Sequence, residues 1–360
     1  MKLLIIGDNL RACLSLAKAL YSHQIKVDIL GWWNLNMEKY SSVNKYYNFP
    51  DFTTNLIKYK YDFLNILENK YDFIIPINDE GLEIVSFFYT EIESKSKTLG
   101  LAESHKLIYA KDKFKTFELF KHLDFKHPDT KIVLSETCFE DCTFPFILKP
   151  QFSRLTINDK IYSAQAKFIN NQKDLDLWKK EVNFYPSLMQ EIIMGEEYGF
   201  NFYAENGKIL NFYIDKHVHG VPGNESACRC LVLPNETGFN KIKSTFEKVI
   251  EKLAWTGVGM FDFKWYQNNV YVIEFNARFW ASIKMDLKAN AGILKQFINR
   301  QVFNKSIINN QSYPTRKLYI HNFKNELKLN IYLLKKRKIF SFFKHCIKMI
   351  KMFLPNHFIE

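Results

Sequence analysis

A chain of 360 residues, 47% hydrophobic and 24% charged, has ordinary globular composition and exceeds one compact core, so two or three domains are expected. No apolar run approaches the ~20 residues of a membrane-spanning helix, and the apolar opening Met1 to Gly7, with no small-residue cleavage site behind it, reads as a strand rather than a secretory signal. Eleven Lys/Arg against two Glu between Arg316 and Glu360 carry +9 of the formal +12, which leaves a nearly neutral body, unlike a nucleic-acid-binding body with a basic face of its own.

Lys2 to Ile6 is a continuous apolar strand, followed by Gly7, Asp8 and a helix with Cys13, Leu16, Ala17 and Leu20 on one face. With the second strand, Val27 to Leu30, this is the opening of a doubly wound parallel sheet. The turn reads Gly-Asp-Asn-Leu-Arg-Ala rather than Gly-x-Gly-x-x-Gly, which disfavours a dinucleotide. Asp72 to Ile77 is a further strand. It ends in Asn78, Asp79 and Glu80, which either meet a ligand beyond the strand's carboxyl end or cap the next helix. A lysine-rich helix is expected from Lys106 to Leu123, then short strands from Pro128 onward. Phe144 to Lys149 is a strand closed by Pro150, Asn171 to Val182 an amphipathic helix, and Leu188 to Ile193 a strand. Tyr198 to Tyr203 and Ile209 to Asp215 flank Asn206-Gly207, a strong hairpin signal. His217 to Cys230 lacks periodicity and reads as a loop of functional length. Phe246, Val249, Ile250 and Leu253 mark a helix. The six cysteines include the pairs 138/142 and 228/230. Neither has a matching pair or histidines at zinc spacing, so no metal site is expected there and a reducing cytoplasm is.

Gly257 to Ser282 carries most of the chemistry. Two strands, about 258–266 and 270–276, flank the turn residues Gln267, Asn268 and Asn269. If Tyr266 pairs with Val270, one face collects Phe261, Phe263, Trp265, Tyr271, Ile273 and Phe275 for a core. The same register sets Asp262 opposite Glu274, with Asn276 and Arg278 further along. Opposed Cβ atoms lie roughly 4.5–5.5 Å apart, and two carboxylates with an amide oxygen suit Mg²⁺, which completes its shell with water and phosphate. The alternative is that Lys264 and Arg278 simply neutralise an exposed acidic pair.

The segment Glu274-Phe-Asn-Ala-Arg-Phe-Trp-Ala-Ser282, preceded by Asp262, resembles the metal-binding end of the ATP-grasp superfamily, nearest its carboxylate–amine ligase-like branch, akin to biotin carboxylase and carbamoyl-phosphate synthetase. The resemblance implies an α/β and α+β architecture: a Rossmann-like domain over 1–105, ATP-grasp lobes over 106–187 and 188–300, and a basic helical tail over 301–360. It implies ATP with Mg²⁺ or Mn²⁺ held by Asp262, Glu274 and Asn276. Arg278 would face the transferred phosphate or acyl group. Lys149, ending Pro-Phe-Ile-Leu-Lys-Pro, and Lys113 would contact ATP phosphates. In Gln190 to Tyr198, the peptide groups from Glu191 to Ile193 would bind adenine and Glu197 the ribose. The chain departs from the family in the phosphate-covering loop, Gln151 to Asp159. It has no glycine, so it must use Ser153, Arg154 or Thr156, or cover ATP loosely. Ala277, Trp280 and Ala281 also replace commoner Pro and Gly.

The expected reaction is ATP-dependent joining of a carboxylate to an amine through an acyl phosphate, with small-molecule substrates and no nucleic acid. A phosphotransferase or carboxylase, or a non-catalytic nucleotide-binding protein, are the alternatives. Lys216, His217, His219 and Arg229 either recognise the carboxylate or merely solvate a surface, and Asp79 and Glu80 are further substrate candidates. The cytoplasm is the expected location. Lys335 to Lys344, with Ile347, Ile350, Met352, Phe353 and Leu354, suits either a helix on the anionic inner membrane surface or a terminal helix docked on the protein.

Overall fold

The computed structural model describes residues 1–99, 104–163, 165–181, 186–221, 226–306, 313–336, 338–350 and 357–359. Val182, residues 222–225 of the expected loop, Met352, Phe353 and Leu354 lie outside them. The first sheet contains β1 (Leu3–Ile6), β2 (Val27–Gly31), β3 (Val43–Asn48), β4 (Phe73–Pro76) and β5 (Lys97–Thr98), in the order β3-β2-β1-β4-β5. All its pairings are parallel. Leu3 to Ile6 are buried throughout because helices cover both faces of the sheet. The strand order reverses between β1 and β4, and Asp8 and Asn78 stand at their carboxyl ends. Asn78 hydrogen-bonds Asp8 there and accepts from Gly81 N at 3.1 Å as the helix cap. Capping therefore falls to Asn78, whose Nδ2 also donates to Glu80 at 2.6 Å, while Asp79 and Glu80 pair with arginines outside this sheet.

The lysine-rich stretch is two helices, Ser104–Lys111 and Lys113–His122, not one. Asp112 breaks it. Its carboxylate accepts from Phe114 N (3.0 Å), Lys115 N (3.2 Å) and Gln151 Nε2 (2.9 Å), capping the second helix and turning Lys113 inward. Next come β6 (Thr130–Val133), β7 (Phe146–Pro150), a hairpin of β8 (Leu155–Ile157) and β9 (Lys160–Tyr162), β10 (Lys167–Ile169) and β11 (Ser187–Gln190). Their sheet runs β10-β7-β11-β6, packed by Leu175 and Trp178 of the helix Gln172–Glu181. The glycine-free loop is the β8–β9 hairpin, and it is not loose. Arg154 pairs with Glu80, Thr156 Oγ1 donates to Glu83 at 3.0 Å, and Ile161 is buried in the core of the first sheet.

The third sheet holds β12 (Glu196–Glu205), β13 (Lys208–Gly220), β14 (Ser226–Leu231), β15 (Gly257–Tyr266), β16 (Asn269–Asn276), β17 (Tyr319–His321) and β18 (His357–Ile359), in the order β16-β15-β12-β13-β14-β17-β18. Asn206 and Gly207 both take positive φ (48° and 78°), as a two-residue hairpin turn requires. Of the segment expected as a loop, 217–230, residues 217–220 are instead the end of β13 and residues 226–230 most of β14. Register shifts beside His219 break the alternation that marks a strand. At β15–β16 the Asp262–Glu274 and Phe261–Phe275 pairs form as expected, but the tip differs. Gln267 and Asn268 take positive φ (47° and 60°) and make a two-residue turn, so Asn269 joins the ladder opposite Tyr266. A bulge beside Asp262 absorbs the difference. Val270 and Val272 therefore face the core, while Tyr271 and Ile273 do not.

Candidate active site

Strand alternation divides the third sheet into two chemistries. One face is aromatic. Phe200, Phe202, Phe261, Phe263 and Phe275 pack with Phe246 of the helix Phe239–Lys252, with ring centroids at 4.3 Å for Phe261–Phe275 and 4.7 Å for Phe246–Phe261. The opposite face is polar. Across neighbouring strands run Glu274, Asp262, Gly199 and Asp215, then Lys264, Glu197, His217 and Arg229. Gly199 opens that face. A Cβ there would stand 3.2 Å from Asp215 Oδ1 and 3.4 Å from Asn201 Nδ2, closing the gap between the Asp262 and Asp215 side chains.

Cations flank the acidic pair on both sides. Lys113 Nζ lies 3.2 Å from Glu274 Oε1 and 2.5 Å from Ser153 Oγ, and Ser153 Oγ lies 3.2 Å from the same carboxylate oxygen. Lys149 is buried, donates to the Ile273 carbonyl at 3.2 Å and lies 4.8 Å from the centre of the Phe117 ring. Burial pushes the Lys149 ammonium down to about 7, against the pull of Glu274. Burial also acts to raise Glu274, but Lys113 and Lys149 prevail and hold its carboxyl below the usual range. Asp262 has the opposite fate. Burial pushes it up to about 7, opposed by Arg229 and reinforced by the charge of Glu274.

This donor set fits a hard divalent cation. The Asp262 carboxyl is displaced upward beside a second acid, so a cation between the two would relieve both burial and repulsion. Asn276 stands differently from the expected ligand. Its Nδ2 donates to Asp262 at 3.2 Å and its Oδ1 accepts from Arg278 Nη2 at 3.1 Å, so it enters an oxygen set only with its amide reversed. Lys264 does not neutralise the pair, because it bonds Glu197 at 2.8 Å.

Arg278 grips Asp79 with two bonds of 2.9 Å, joining the switch point of the first sheet to the acidic pair. Asp79 is thereby a partner of Arg278, and Glu80 a partner of Arg154, rather than groups left open for substrate. Burial opposes charge on Asp79, but Arg278 outweighs it and lowers the carboxyl. Arg229 Nη1 bonds Asp215 at 2.9 Å, and Asp215 also accepts from Asn201 at 2.8 Å. Arg11, Arg229, Asp262, Asn276, Arg278 and Trp280 are among the lining of a cavity of about 190 Å³.

The remaining expected residues sit at the other end of the polar face. Glu191 to Gly195 link β11 to β12, and Ile193 is buried. Glu191 N donates to the Asp129 carbonyl at 2.9 Å, so that N–H is already engaged within the protein. Glu197 bonds His217 (3.1 Å) and Lys264, and these contacts, with His217 first, bring its carboxyl down to about 2 despite burial. It precedes Gly199 by two positions, roughly 7 Å along the strand from the acidic pair. Lys216 pairs with Glu196 at 2.5 Å and does not reach the cavity around Arg229.

Residues 110–282 match the ATP-grasp domain family. An ATP-grasp domain therefore occupies those residues of the chain. The chain is 24% identical over 332 residues to an uncharacterized protein of Methanocaldococcus jannaschii, across 86% of this chain and 78% of that one. Its fold resembles L-amino acid ligase from Bacillus licheniformis, with 13% identity, a TM-score of 0.66, and coverage of 88% of this chain and 78% of that chain. It also resembles carboxyaminoimidazole ribonucleotide synthase from Aspergillus clavatus complexed with ATP (12%, TM-score 0.69, 89% and 81%). A third likeness is to the biotin carboxylase domain of Hydrogenobacter thermophilus 2-oxoglutarate carboxylase with MgADP and bicarbonate (13%, TM-score 0.67, 88% and 73%).

Within this ATP-grasp domain, sequence reasoning missed Gly199, Asn201 and Asp215. A glycine and an asparagine inside the aromatic run Tyr198 to Tyr203 were the available signal, since neither residue suits a strand packed on both faces.

Proposed function

We propose that the protein is an ATP-dependent ligase that joins a carboxylate to an amine through an acyl phosphate. The observation that carries this reading is the Asp262–Glu274 pair, set between the ammonium groups of Lys113 and Lys149 and the guanidinium groups of Arg229 and Arg278. In it, Lys113, Lys149 and Ser153 hold the ATP phosphates, Glu197 the ribose, and the peptide groups from Glu191 to Ile193 the adenine. Mg²⁺ on Asp262 and Glu274, with Asn276 as a third ligand if its amide turns, would neutralise phosphate charge. Arg229 spends Nη1 on Asp215 and presents the rest of its fork to the cavity, where it receives the substrate carboxylate. A carboxylate oxygen attacks the γ-phosphorus and ADP leaves. The amine then attacks the acyl carbon, phosphate leaves, and the amine gives up a proton. Arg278, fixed by Asp79, stabilises the charge that develops on the acyl phosphate. The cavity volume suits a small acceptor rather than a polymer.

The test is a phosphate-release screen of the full chain with MgATP and pooled carboxylates and amines, with hydroxylamine as trap. Equal ADP and phosphate that require both substrates, and a hydroxamate with the carboxylate alone, are expected. Release that needs bicarbonate instead of an amine would assign a carboxylase. Tight ATP binding with no release from any mixture would assign a non-catalytic nucleotide-binding protein.

We also propose that the tail meets an anionic membrane surface. No helix among the described residues is long and apolar enough to cross a membrane. The helix Ile339–Ile350 nonetheless leaves Phe340 82% and Ile347 65% exposed beside Lys335, Lys336, Lys338 and Lys344. An apolar face with cations around it is the chemistry of interfacial binding.

A further inference from the structure

Away from the cavity, His219, Cys228 and His321 form one row across three adjacent strands: His219 pairs with Cys228 across β13–β14, and Cys228 with His321 across β14–β17. Directly paired residues project to the same side of a sheet. Over that row the helix Phe323–Lys335 places Glu326, buried to 1% exposure. His219 Nε2 lies 3.0 Å from both Glu326 oxygens, His321 Nδ1 2.8 Å from Oε1, and Cys228 Sγ 3.9 Å from His321 Nε2. The helix Ile339–Ile350 adds His345, whose Nε2 is 3.0 Å from Glu326 Oε2 yet not aligned as a hydrogen bond to any partner among the described residues. His219 Nδ1 is likewise buried without one.

We propose that His219, Cys228, His321 and Glu326, with His345 beside them, bind one zinc-class divalent transition-metal ion. One ligand atom from each of the four lies within 4.8 Å of all the others. Bonds of ~2.0–2.3 Å in a tetrahedral zinc site put neighbouring ligand atoms about 3.3–3.8 Å apart, so small side-chain shifts suffice. Imidazole, thiolate and carboxylate together select a borderline-soft ion, whereas the all-oxygen Asp262–Glu274 pair selects a hard one. The centre is structural: four protein ligands fill a tetrahedron. It fastens the helix Phe323–Lys335 to the sheet beside Ser226, Ala227, Ile320 and Asn322, which line the cavity, and Glu326 in turn holds His345 of the following helix at 3.0 Å. It therefore sets the far wall of the cavity, whatever reaction occurs there.

The test uses the full chain, stripped with a chelator and titrated with Co²⁺ and then Zn²⁺. One Co²⁺ per chain is expected, with the intense visible bands of tetrahedral cobalt and a near-ultraviolet thiolate band. Zn²⁺ displaces it and millimolar Mg²⁺ does not. Cys228→Ser removes the thiolate band, and His321→Ala or Glu326→Gln weakens Zn²⁺ binding more than about tenfold. Should those two variants misfold, the wild-type spectrum and Cys228→Ser still decide. Wild-type protein that binds no Co²⁺ or Zn²⁺ with these ligands, or a cobalt spectrum unchanged in Cys228→Ser, overturns the proposal.

Discussion

Replacing Lys149 by methionine should stabilise the nucleotide-free protein while crippling its hold on ATP. Lys149 is 6% exposed, and burial drops it from 10.5 to about 7. Each unit is ~1.4 kcal/mol, so keeping the charge in the folded state below that pH costs on the order of 5 kcal/mol, and at pH 7.5 about 4. The unfolded lysine binds its proton up to 10.5, so between about 7 and 10.5 the unfolded state holds more protons and wild-type stability rises with pH. Methionine fills similar space without charge. After allowance for the lost bond to Ile273, a gain of about 2–4 kcal/mol at pH 7.5 is expected, fading as pH nears 10. Thermal melts and denaturant titrations in chelator at both pH values measure it. Calorimetry should show ATP binding about 10- to 100-fold weaker, the worth of a charge-assisted hydrogen bond. A variant less stable than wild type at pH 7.5, or a gain that persists unchanged at pH 10, refutes the burial argument.

Asp262→Asn should cut ATP-dependent phosphate release at least ~100-fold. Because burial pushes Asp262 up to about 7, its charge costs stability above that pH and not near pH 4. In chelator the variant should therefore melt higher than wild type at pH 8, with the difference vanishing as the solution is acidified. Arg278→Lys cannot reproduce two parallel bonds to Asp79; a loss of about 1–2 kcal/mol and a slower turnover are expected by denaturation and steady-state assay. Full-length protein should cosediment with phosphatidylserine vesicles at low salt and be released by high salt, and Phe340→Ser with Ile347→Ser should abolish the pelleting. No pelleting at low salt removes the membrane reading.

The Asp262–Glu274 pair was legible because alternating aromatic residues on both strands leave one register that buries them together. The hairpin tip was not, because its turn length depends on Gln267 and Asn268 taking positive φ, which their side chains do not announce. Bulges hid strands in 217–230 for the same reason: they disturb the period that a linear reading relies on. Lys113, Lys149 and Ser153 were placed by resemblance, and the fold brings all three around Glu274. The roles of Asp79, Glu80 and Lys264 depend on partners far off in sequence: Arg278, Arg154 and Glu197. The His219–Cys228–His321–Glu326 cluster escaped the cysteine spacing altogether, since its members meet across strands and a helix instead of along one segment.

Asp262 and Glu274 are expected to grip a divalent cation that also engages ATP phosphates. Mn²⁺ provides the direct reading: electron paramagnetic resonance of Mn²⁺ with ATP, in the presence of wild type and of an Asp262→Asn/Glu274→Gln double variant. Immobilised Mn²⁺ that requires both ATP and the two acids is the expected result; equal immobilisation by the double variant would contradict it.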